Sequence, residues 1–276
     1  MILNNKKRKI KKRFCKKELL ITFSVVFFKD NLDILKKNIK SIIINSEDFK
    51  FNYKIYIINN SYEYINLNKY FKSKNIEIIN NENIGFGLSH NKVLNKLGKY
   101  HVIVNPDLIF HKDSVRNAIK FFERNHRVGA ITPSFYWENK NRQYLIKSYP
   151  SLLVLFLRAI YSLFKIRLFN DYLNKYEMKN MNYEIRNDHI KLISGACIFL
   201  RGKIFKKING FDKSYFLYFE DFDLSIRLRK FTSISYVPTI RITHYGGHTA
   251  KKGLKHIKYF LSSMIIFFKK YGIKVY

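Results

Sequence analysis

Short runs of apolar and β-branched residues alternate with helical patterns over the first 110 residues. Four of these runs predict strands, and each is followed by Asn or Lys: Leu20–Phe28, Tyr53–Ile58, Ile76–Ile79 and Tyr100–Val104. Between the strands, Leu32, Leu35 and Ile39 recur at helical spacing, and a glycine turn precedes a second predicted helix over Leu88–Leu97. This rhythm predicts a parallel sheet with helices on its faces.

Ligands of such sheets bind beyond the carboxyl ends of the strands. The residues that follow the four predicted strands are therefore the first candidates for a site: Lys29-Asp30, Asn59-Asn60-Ser61, Asn80 to Gly87 and Asn105-Pro106-Asp107.

Two later segments combine apolar residues with basic ones. Residues 149–169 are apolar but interrupted by three cations, and residues 251–276 place apolar side chains on one helical face with lysines beyond it. Both patterns fit helices that lie on a membrane surface, and a core or lid helix is the alternative for 149–169. Residues 170–190 are polar and rich in Asn, which predicts a loop.

The charge balance points to an anionic partner. The chain has 276 residues with 52 Lys and Arg against 20 Asp and Glu, a formal net charge of +32. Its 47% of hydrophobic residues supply a core, which excludes a disordered basic tail protein. Nucleic acid, an anionic membrane and a phosphate-bearing substrate all fit this charge, and composition does not choose among them.

The cysteines and the N-terminal apolar run bear on location. Cys15 and Cys197 match no metal-binding or redox spacing, which favours a reducing compartment. The run Leu19–Phe28 has ten residues, against the roughly 20 needed to span a bilayer. No small-residue cleavage site follows it, so we interpret it as a buried strand behind a basic leader and expect a cytoplasmic protein.

Acidic residues are scarce, and three of them fall within four positions: Glu220, Asp221 and Asp223, among Tyr and Phe. Close like charges beside aromatic walls raise a carboxyl pKa toward the range of a general base. The alternative is a helix start, where acids favour the positive end of the dipole and Asp223 pairs with Arg227. We expect Asp221 to carry chemistry and Asp223 to form that pair.

Asn105-Pro106-Asp107 is a candidate metal motif. The proline ends the preceding strand, so Asp107 is expected at the ligand edge of the sheet. A hard divalent cation that bridges a diphosphate needs only one or two protein carboxylates. An ordinary Asx turn or helix cap is the alternative.

Two glycine-bearing segments add candidates. Asn83 to Gly87 form a turn that runs into a helix, where free N–H groups can meet phosphate or sugar hydroxyls. His244 and His248 flank a Gly pair after the predicted strand Ser235–Ile242. Gly-Gly allows a close backbone approach to a ligand and neutral imidazole ligates metals, while a structural role for the histidines is the alternative.

In this order the motifs resemble one family, the inverting family 2 glycosyltransferases of GT-A fold, in the rhamnosyltransferase-like branch of bacterial surface polysaccharide biosynthesis. The resemblance covers about residues 20–270 and rests on these blocks: Asn83 to Gly87 with Asn91, Asn105-Pro106-Asp107, Ser194 to Cys197, Gly210-Phe211-Asp212, Phe216 to Leu224 with Arg227, Val237-Pro238, and His244 to Thr249.

The resemblance implies an α/β GT-A (nucleotide-diphospho-sugar transferase) fold: a mostly parallel central sheet, helices on both faces and a C-terminal amphipathic helix. It implies transfer of a sugar, with L-rhamnose as the candidate, from a UDP- or dTDP-linked donor to a lipid-linked or cell-surface glycan acceptor. The enzyme would be cytoplasmic and peripheral on the inner face of an anionic membrane, like those that make O-antigen, capsule or lipopolysaccharide.

The resemblance also implies roles for individual residues. Asp221 would be the general base, Glu220 would contact the acceptor, and Asp107 with His244 would hold Mg²⁺ or Mn²⁺. The implied substrate contacts are Asn59, Asn60, Asn83, Gly85, Phe86, Gly87, Asn91, Asn105, Gly195, Ala196, Asp223 and His248.

The implied organisation divides the chain into three parts. Residues 1–18 form a basic leader, 19–250 the catalytic domain and 251–276 a basic amphipathic helix. Within the domain, 19–110 would bind the nucleotide and 111–250 the acceptor, with a membrane-proximal insertion at about 149–190.

One departure from the family leaves alternatives open. The family usually carries an aspartate after the second strand, where this chain has Asn59-Asn60-Ser61. An amide can still bond a uracil or thymine edge, so both nucleotides remain, as does a homologue that binds sugar nucleotide without activity. A nucleic-acid-binding protein is a further alternative, but the basic residues are spread along the chain without a recognition motif, and no nucleic-acid partner is expected.

Overall fold

The computed structural model describes residues 20–164, 169–246 and 253–275, which build a nine-stranded sheet with helices on both sides. Its first four strands are β1 (Ile21–Phe27), β2 (Tyr53–Asn59), β3 (Ile76–Asn80) and β4 (Tyr100–Val104). They pair in parallel in the order β3-β2-β1-β4. The four predicted strands are confirmed to within one residue at each end.

The second half of the sheet is mixed. Its strands are β5 (Leu108–Phe110), β6 (Val128–Tyr136), β7 (Arg142–Gln143), β8 (Cys197–Arg201) and β9 (Ser233–His244). The order continues from β4 as β8-β6-β9-β5, with β7 beside β6. Of the eight pairings between described strands, four are antiparallel, so the predicted parallel arrangement holds for the first half and for β6 with β9.

The described helices are α1 (Leu32–Glu47), α2 (Phe86–Asn91), α3 (Ser114–Arg124), α4 (Leu152–Phe164), α5 (Asn170–Tyr176), α6 (Gly202–Lys207), α7 (Glu220–Arg229) and α8 (Leu254–Tyr271). Helix α1 starts where the Asn31 side chain accepts the N–H groups of Asp33 and Ile34, and it buries Leu35 and Ile39 on the sheet. Its predicted apolar face is confirmed.

Two helix predictions need correction. Helix α2 ends at Asn91, short of the predicted Leu97, because the following N–H groups bond to carbonyls three residues back rather than four. The loop prediction for 170–190 is wrong over Asn170–Tyr176, which forms α5. Only Leu173 and Tyr176 are buried in that helix, so its apolar period is too weak to notice in the sequence.

A core away from the sheet joins α4, α5, α8 and the segment before α7. It contains Val154 and Leu155 of α4, Tyr176 of α5, and Phe267 and Phe268 of α8. The N–H groups at the start of α4 bond to the carbonyls of residues 274 and 275 at distances of 2.8 and 3.0 Å. The inner sides of both predicted amphipathic segments therefore pack within the protein.

Candidate active site

The metal candidates Asp107 and His244 are brought together by sheet register. Strand β5, which begins one residue after Asp107, pairs antiparallel with the end of β9, so that Leu108 lies opposite His244. The Tyr245 N–H donates to the Asp107 carbonyl at 2.9 Å. The two side chains then approach each other, with 3.5 Å between His244 Nε2 and Asp107 Oδ1.

Gln143, which the sequence motifs did not single out, orients His244. Its amide N–H donates to the His244 carbonyl at 3.0 Å, and its amide oxygen lies 2.8 Å from His244 Nδ1. Because an amide oxygen only accepts, Nδ1 is the ring nitrogen that donates to Gln143, which leaves Nε2 as the nitrogen that faces Asp107. Strand β7 contains only Arg142 and Gln143, so no sequence period marks it.

This pair fits a divalent cation. Asp107 Oδ1 is buried without a hydrogen-bond partner, and the orienting contact from Gln143 is the kind that supports a metal-bound imidazole. Within the described ranges, no group of three or more His, Cys, Asp or Glu side chains forms a metal site. Two protein ligands suffice where a diphosphate and water supply the others.

The glycine pair after β9 is described only in part. A Cβ atom at Gly246 would lie 1.8 Å from Asp107 Oδ2. Only glycine therefore lets the backbone come this close to the carboxylate. The candidate substrate contact His248 lies outside the described residues. The cleft beside His244 has a volume of about 650 Å³ and is lined by Trp137, Glu138, Asn139, Asn141, Arg142, His244 and Tyr245.

The glycine turn at 83–87 packs against the segment before α7. Gly85 has a φ of +94°, and a side chain there would meet the Phe216 carbonyl oxygen at 2.2 Å. Phe86 N–H donates to that carbonyl at 3.0 Å. The Asn83 side-chain oxygen accepts the Gly85 N–H at 3.2 Å and so shapes the turn. Gly87 packs against the ring of Phe211.

Asn91 and Gly87 both contact the loop that contains Phe211, and their implied role as substrate contacts stays a prediction. The Asn91 amide donates to the Phe211 carbonyl at 2.8 Å and accepts the Phe211 N–H at 2.9 Å. Both of its hydrogen-bonding groups are thereby used to hold the 210–212 loop. Gly87 is buried beneath the Phe211 ring and has no side chain to offer.

Asn59 and Asn60 also make hydrogen bonds within the protein, and their implied role as substrate contacts likewise stays a prediction. Asn59 is fully buried, its amide donates to the Ile65 carbonyl at 2.9 Å, and its oxygen accepts the Ser61 N–H. Asn60 is 5% exposed and donates to Ser89 Oγ at 2.8 Å. These amides shape the carboxyl end of β2.

Asp221 lies in the first turn of α7, and its carboxylate is fixed by two backbone N–H groups. Gly195 N–H donates to Oδ2 at 2.9 Å, and Phe222 N–H donates to Oδ1 at 2.9 Å. Burial raises the pKa of Asp221 to about 6, and these two hydrogen bonds partly oppose the rise. The carboxyl group is therefore ionised at neutral pH yet basic enough to accept a proton.

Gly195 and Ala196 connect this carboxylate to the metal pair. They precede β8, which is antiparallel to β4, and Ala196 O accepts the Asn105 N–H at 2.8 Å. The Phe86 ring packs against Gly195 from the other side. Asp221, held by Gly195, and Asp107, which follows Asn105, thus belong to the same edge of the sheet.

Glu220 is the more buried neighbour of Asp221. It is 5% exposed, and its Oε2 has no hydrogen-bond partner. Burial, followed by the charge of Asp221, raises its pKa well above the ordinary value. Tyr218 and Phe219, directly before it, both adopt left-handed backbone with φ of 72° and 62°. Such strain persists where surrounding packing enforces it, and it is typical of functional segments.

Asp223 pairs with Arg227, as the helical spacing predicts, at 2.6 Å from Arg227 Nε. Its other oxygen accepts from Lys270 at 2.5 Å and from the Tyr271 hydroxyl at 2.6 Å, and the residue is fully buried. These contacts hold Asp223 within the protein, and its implied role as a substrate contact stays a prediction.

Solved structures with this architecture define its class. GalNAc-T7 with UDP, GalNAc and Mn²⁺ superposes with a TM-score of 0.62 at 12% identity, covering 83% of this chain and 43% of that one. Staphylococcus aureus TarS with UDP-GlcNAc gives 0.56 at 15%, covering 85% and 62%. Pyrobaculum calidifontis mannosyltransferase PcManGT with GDP-Man and Mn²⁺ gives 0.55 at 11%, covering 89% and 64%. The predicted GT-A fold is confirmed.

Two curated proteins are similar in sequence. The Mycobacterium tuberculosis (strain H37Rv) N-acetylglucosaminyl-diphospho-decaprenol L-rhamnosyltransferase is 27% identical over 199 residues, 67% of this chain and 64% of that protein. Escherichia coli K12 rhamnosyltransferase WbbL is 26% identical over 151 residues, 54% of this chain and 53% of that protein. No protein-family model matches the sequence. The predicted resemblance to rhamnosyltransferases is confirmed, and the chain spans less than two thirds of these relatives' length.

Proposed function

We propose that this protein is an inverting glycosyltransferase that moves a sugar from a nucleoside-diphosphate donor to a hydroxyl of a lipid-linked or cell-surface glycan. One observation carries the proposal: the Asp221 carboxylate, with a raised pKa, is fixed by Gly195 at the sheet edge that also carries the Asp107–His244 pair. The names of the curated relatives support L-rhamnose as the sugar and a lipid-diphosphate-linked acceptor.

The base end of the site activates the acceptor. Asp221 accepts the proton of the acceptor hydroxyl while the oxygen attacks the anomeric carbon, and the electron pair of the breaking carbon–oxygen bond leaves with the nucleoside diphosphate. A single displacement inverts the anomeric centre and needs one carboxylate base, unlike the carboxylate pair of glycoside hydrolases. Glu220, whose pKa burial raises well above its ordinary value, would contact the acceptor through a hydrogen bond.

The other end of the site receives the leaving group. Asp107 Oδ1 and His244 Nε2 would hold Mg²⁺ or Mn²⁺, with Gln143 keeping the imidazole in the required tautomer. A divalent cation bound there supplies charge neutralisation for the departing diphosphate. Two of the solved neighbours contain Mn²⁺, which supports this choice.

A donor panel tests the enzyme proposal. Purified protein with Mn²⁺ is incubated with UDP- and dTDP-linked sugars, including the L-rhamnose donor, and with an N-acetylglucosaminyl-diphospho-lipid. We expect transfer with one nucleotide series and slow donor hydrolysis without acceptor. Neither product with any donor would refute the proposal and favour a sugar-nucleotide-binding homologue without activity.

We also propose that the protein works on the cytoplasmic face of an anionic membrane. The outer side of α8 exposes Leu254, Ile257 and Ile265 at 85, 54 and 50%, with Lys255 and Lys258 beside them. Each basic residue near an anionic surface contributes about 1 kcal/mol. None of the described helices is both long and apolar enough to cross a bilayer. Flotation with anionic vesicles tests this proposal, and equal binding to neutral vesicles would refute its electrostatic part.

A further inference from the structure

Two cations, Arg158 of α4 and Lys147, lie near the ring of Tyr176. The Arg158 guanidinium lies 5.9 Å from the centre of the Tyr176 ring, and the Lys147 ammonium lies 5.6 Å from it. Glu177 contacts Lys147 at 3.2 Å and Lys179 at 3.0 Å. One carboxylate thus serves two lysines, and no carboxylate among the described residues lies within ion-pair distance of Arg158.

Tyr176 links this group to Asp221. Its side chain is 2% exposed, and burial raises the pKa of its hydroxyl to about 12. Arg158 opposes that rise through a hydrogen bond and its charge, whereas the charge of Asp221 adds to it. The Tyr176 hydroxyl is thus within electrostatic range of both Arg158 and Asp221.

Backbone hydrogen bonds fix this arrangement. The Ser148 N–H donates to the Tyr176 carbonyl at 2.9 Å, and the Lys147 N–H donates to Leu192 at 3.2 Å, three residues before Gly195. Lys147 is 9% exposed, and its burial lowers the pKa of its ammonium to about 8. A buried, under-neutralised cation of this kind is stabilised by an approaching anion.

An apolar surface begins beside Arg158. On α4, Leu152, Leu153 and Phe156 are 38, 37 and 62% exposed. The chain after α8 runs alongside through the bonds from Leu152 and Leu153 to residues 274 and 275. Helix α4 thus carries both the Arg158 cation and exposed apolar side chains.

We propose that Arg158, supported by Lys147, binds the diphosphate that joins the acceptor sugar to its lipid, with the lipid chain on the apolar face of α4. This inference rests on the proposed function and names the acceptor subsite. The planar guanidinium donates two parallel hydrogen bonds to a phosphate, and such charge-assisted bonds exceed neutral ones in strength. An anionic lipid headgroup shares this chemistry, and the test separates the two sources.

The first arm measures the binding of farnesyl diphosphate by calorimetry in neutral detergent. EDTA is present to suppress the metal-dependent donor site. Arg158→Ala is expected to weaken binding about tenfold or more, and Arg158→Lys by less. Arg124→Ala removes the same charge from an exposed position on α3 and is the matched control. Equal affinity in the wild type and Arg158→Ala would overturn the inference whatever the outcome of the donor panel.

Transfer kinetics form the second arm, with a lipid-diphosphate acceptor and a neutral alkyl glycoside of the same sugar. Arg158→Ala is expected to raise the KM of the lipid-diphosphate acceptor about tenfold relative to the KM of the neutral acceptor. Parallel changes for both acceptors would indicate a structural role and overturn the inference. An effect that appears only with anionic vesicles and is absent in neutral detergent would assign Arg158 to a headgroup, which also overturns it.

Discussion

The two parts of the candidate active site, a metal end and a base end, are built in contrasting ways. The metal end is assembled from strand ends, and the Asp107 side chain remains 28% exposed beside His244. The base end lies at the start of α7, where Glu220 is 5% exposed and Asp221 is enclosed by backbone N–H groups. A ligand for a cation must stay reachable and charged, whereas a base gains proton affinity from burial. In the proposed mechanism, the two carboxylates would thus differ in role because their surroundings differ.

The base end also depends on a distant part of the chain. Asp223, one turn into α7, accepts from Lys270 and Tyr271 of α8, and Ser263 of α8 donates to the Leu217 carbonyl at 2.8 Å. The metal end has sheet hydrogen bonds instead. Helix α8 thus holds the strained Tyr218–Phe219 segment with one side while its other side is exposed.

The largest expected effect separates the two ends directly. Asp221→Asn removes the proton acceptor but keeps the shape, so transfer at saturating donor should fall about a thousandfold while donor affinity changes little. Product formation and donor titration measure the two quantities. Asp113→Asn, a carboxamide change at the start of α3, is the matched control. Turnover above a tenth of the wild-type rate would remove Asp221 from the base role.

At the metal end, the critical neighbour is Gln143. Gln143→Leu deletes the acceptor for His244 Nδ1–H, so Mn²⁺ affinity in the presence of nucleoside diphosphate should fall about 10- to 100-fold. Gln143→Glu keeps an acceptor at the same distance and should restore much of the affinity. If both variants bind Mn²⁺ like the wild type, His244 is not oriented by this contact.

The pH dependence of transfer probes the base end alone. The pKa of Asp221 is raised to about 6, and the ionised form is the base, so kcat/KM should decline about tenfold per pH unit below 6 and level off above 7. The folded state favours the protonated form of Asp221. The contribution of this carboxyl group to stability is therefore fully present below its unfolded-state pKa and is lost as pH rises through about 6. A rate independent of pH down to 5 would contradict the assignment.

The sequence predicted those parts of the molecule that depend on local pattern. Strands such as Tyr100–Val104, the position of Asp107 after one of them, and the Asp223–Arg227 pair all follow from spacing within one element. Gln143 and Arg158 were not predicted as site residues. The partner of Gln143 is about a hundred residues away in sequence, and the partner of Arg158 lies on a neighbouring helix. The contact of Asn91 with Phe211 could not be predicted either, because an amide suits a substrate and a backbone loop equally well.

The smallest effect on activity is expected at Glu220. Burial raises the pKa of Glu220 well above its ordinary value. Between the unfolded-state pKa and the folded-state pKa, folding therefore takes up a proton, and the stability of the wild type falls as pH rises through this range. Glu220→Gln mimics the protonated carboxyl, so the rate of transfer should change by no more than about threefold. The melting temperature of this variant should exceed that of the wild type by more at pH 8 than at pH 5. Glu82→Gln, at an exposed carboxylate, should show no such pH-dependent gain. A loss of stability in Glu220→Gln that is equal at both pH values would mean that Glu220 is ionised in the folded protein. The contrast drawn with Asp221 would then fail, because two adjacent charged carboxylates would share one environment.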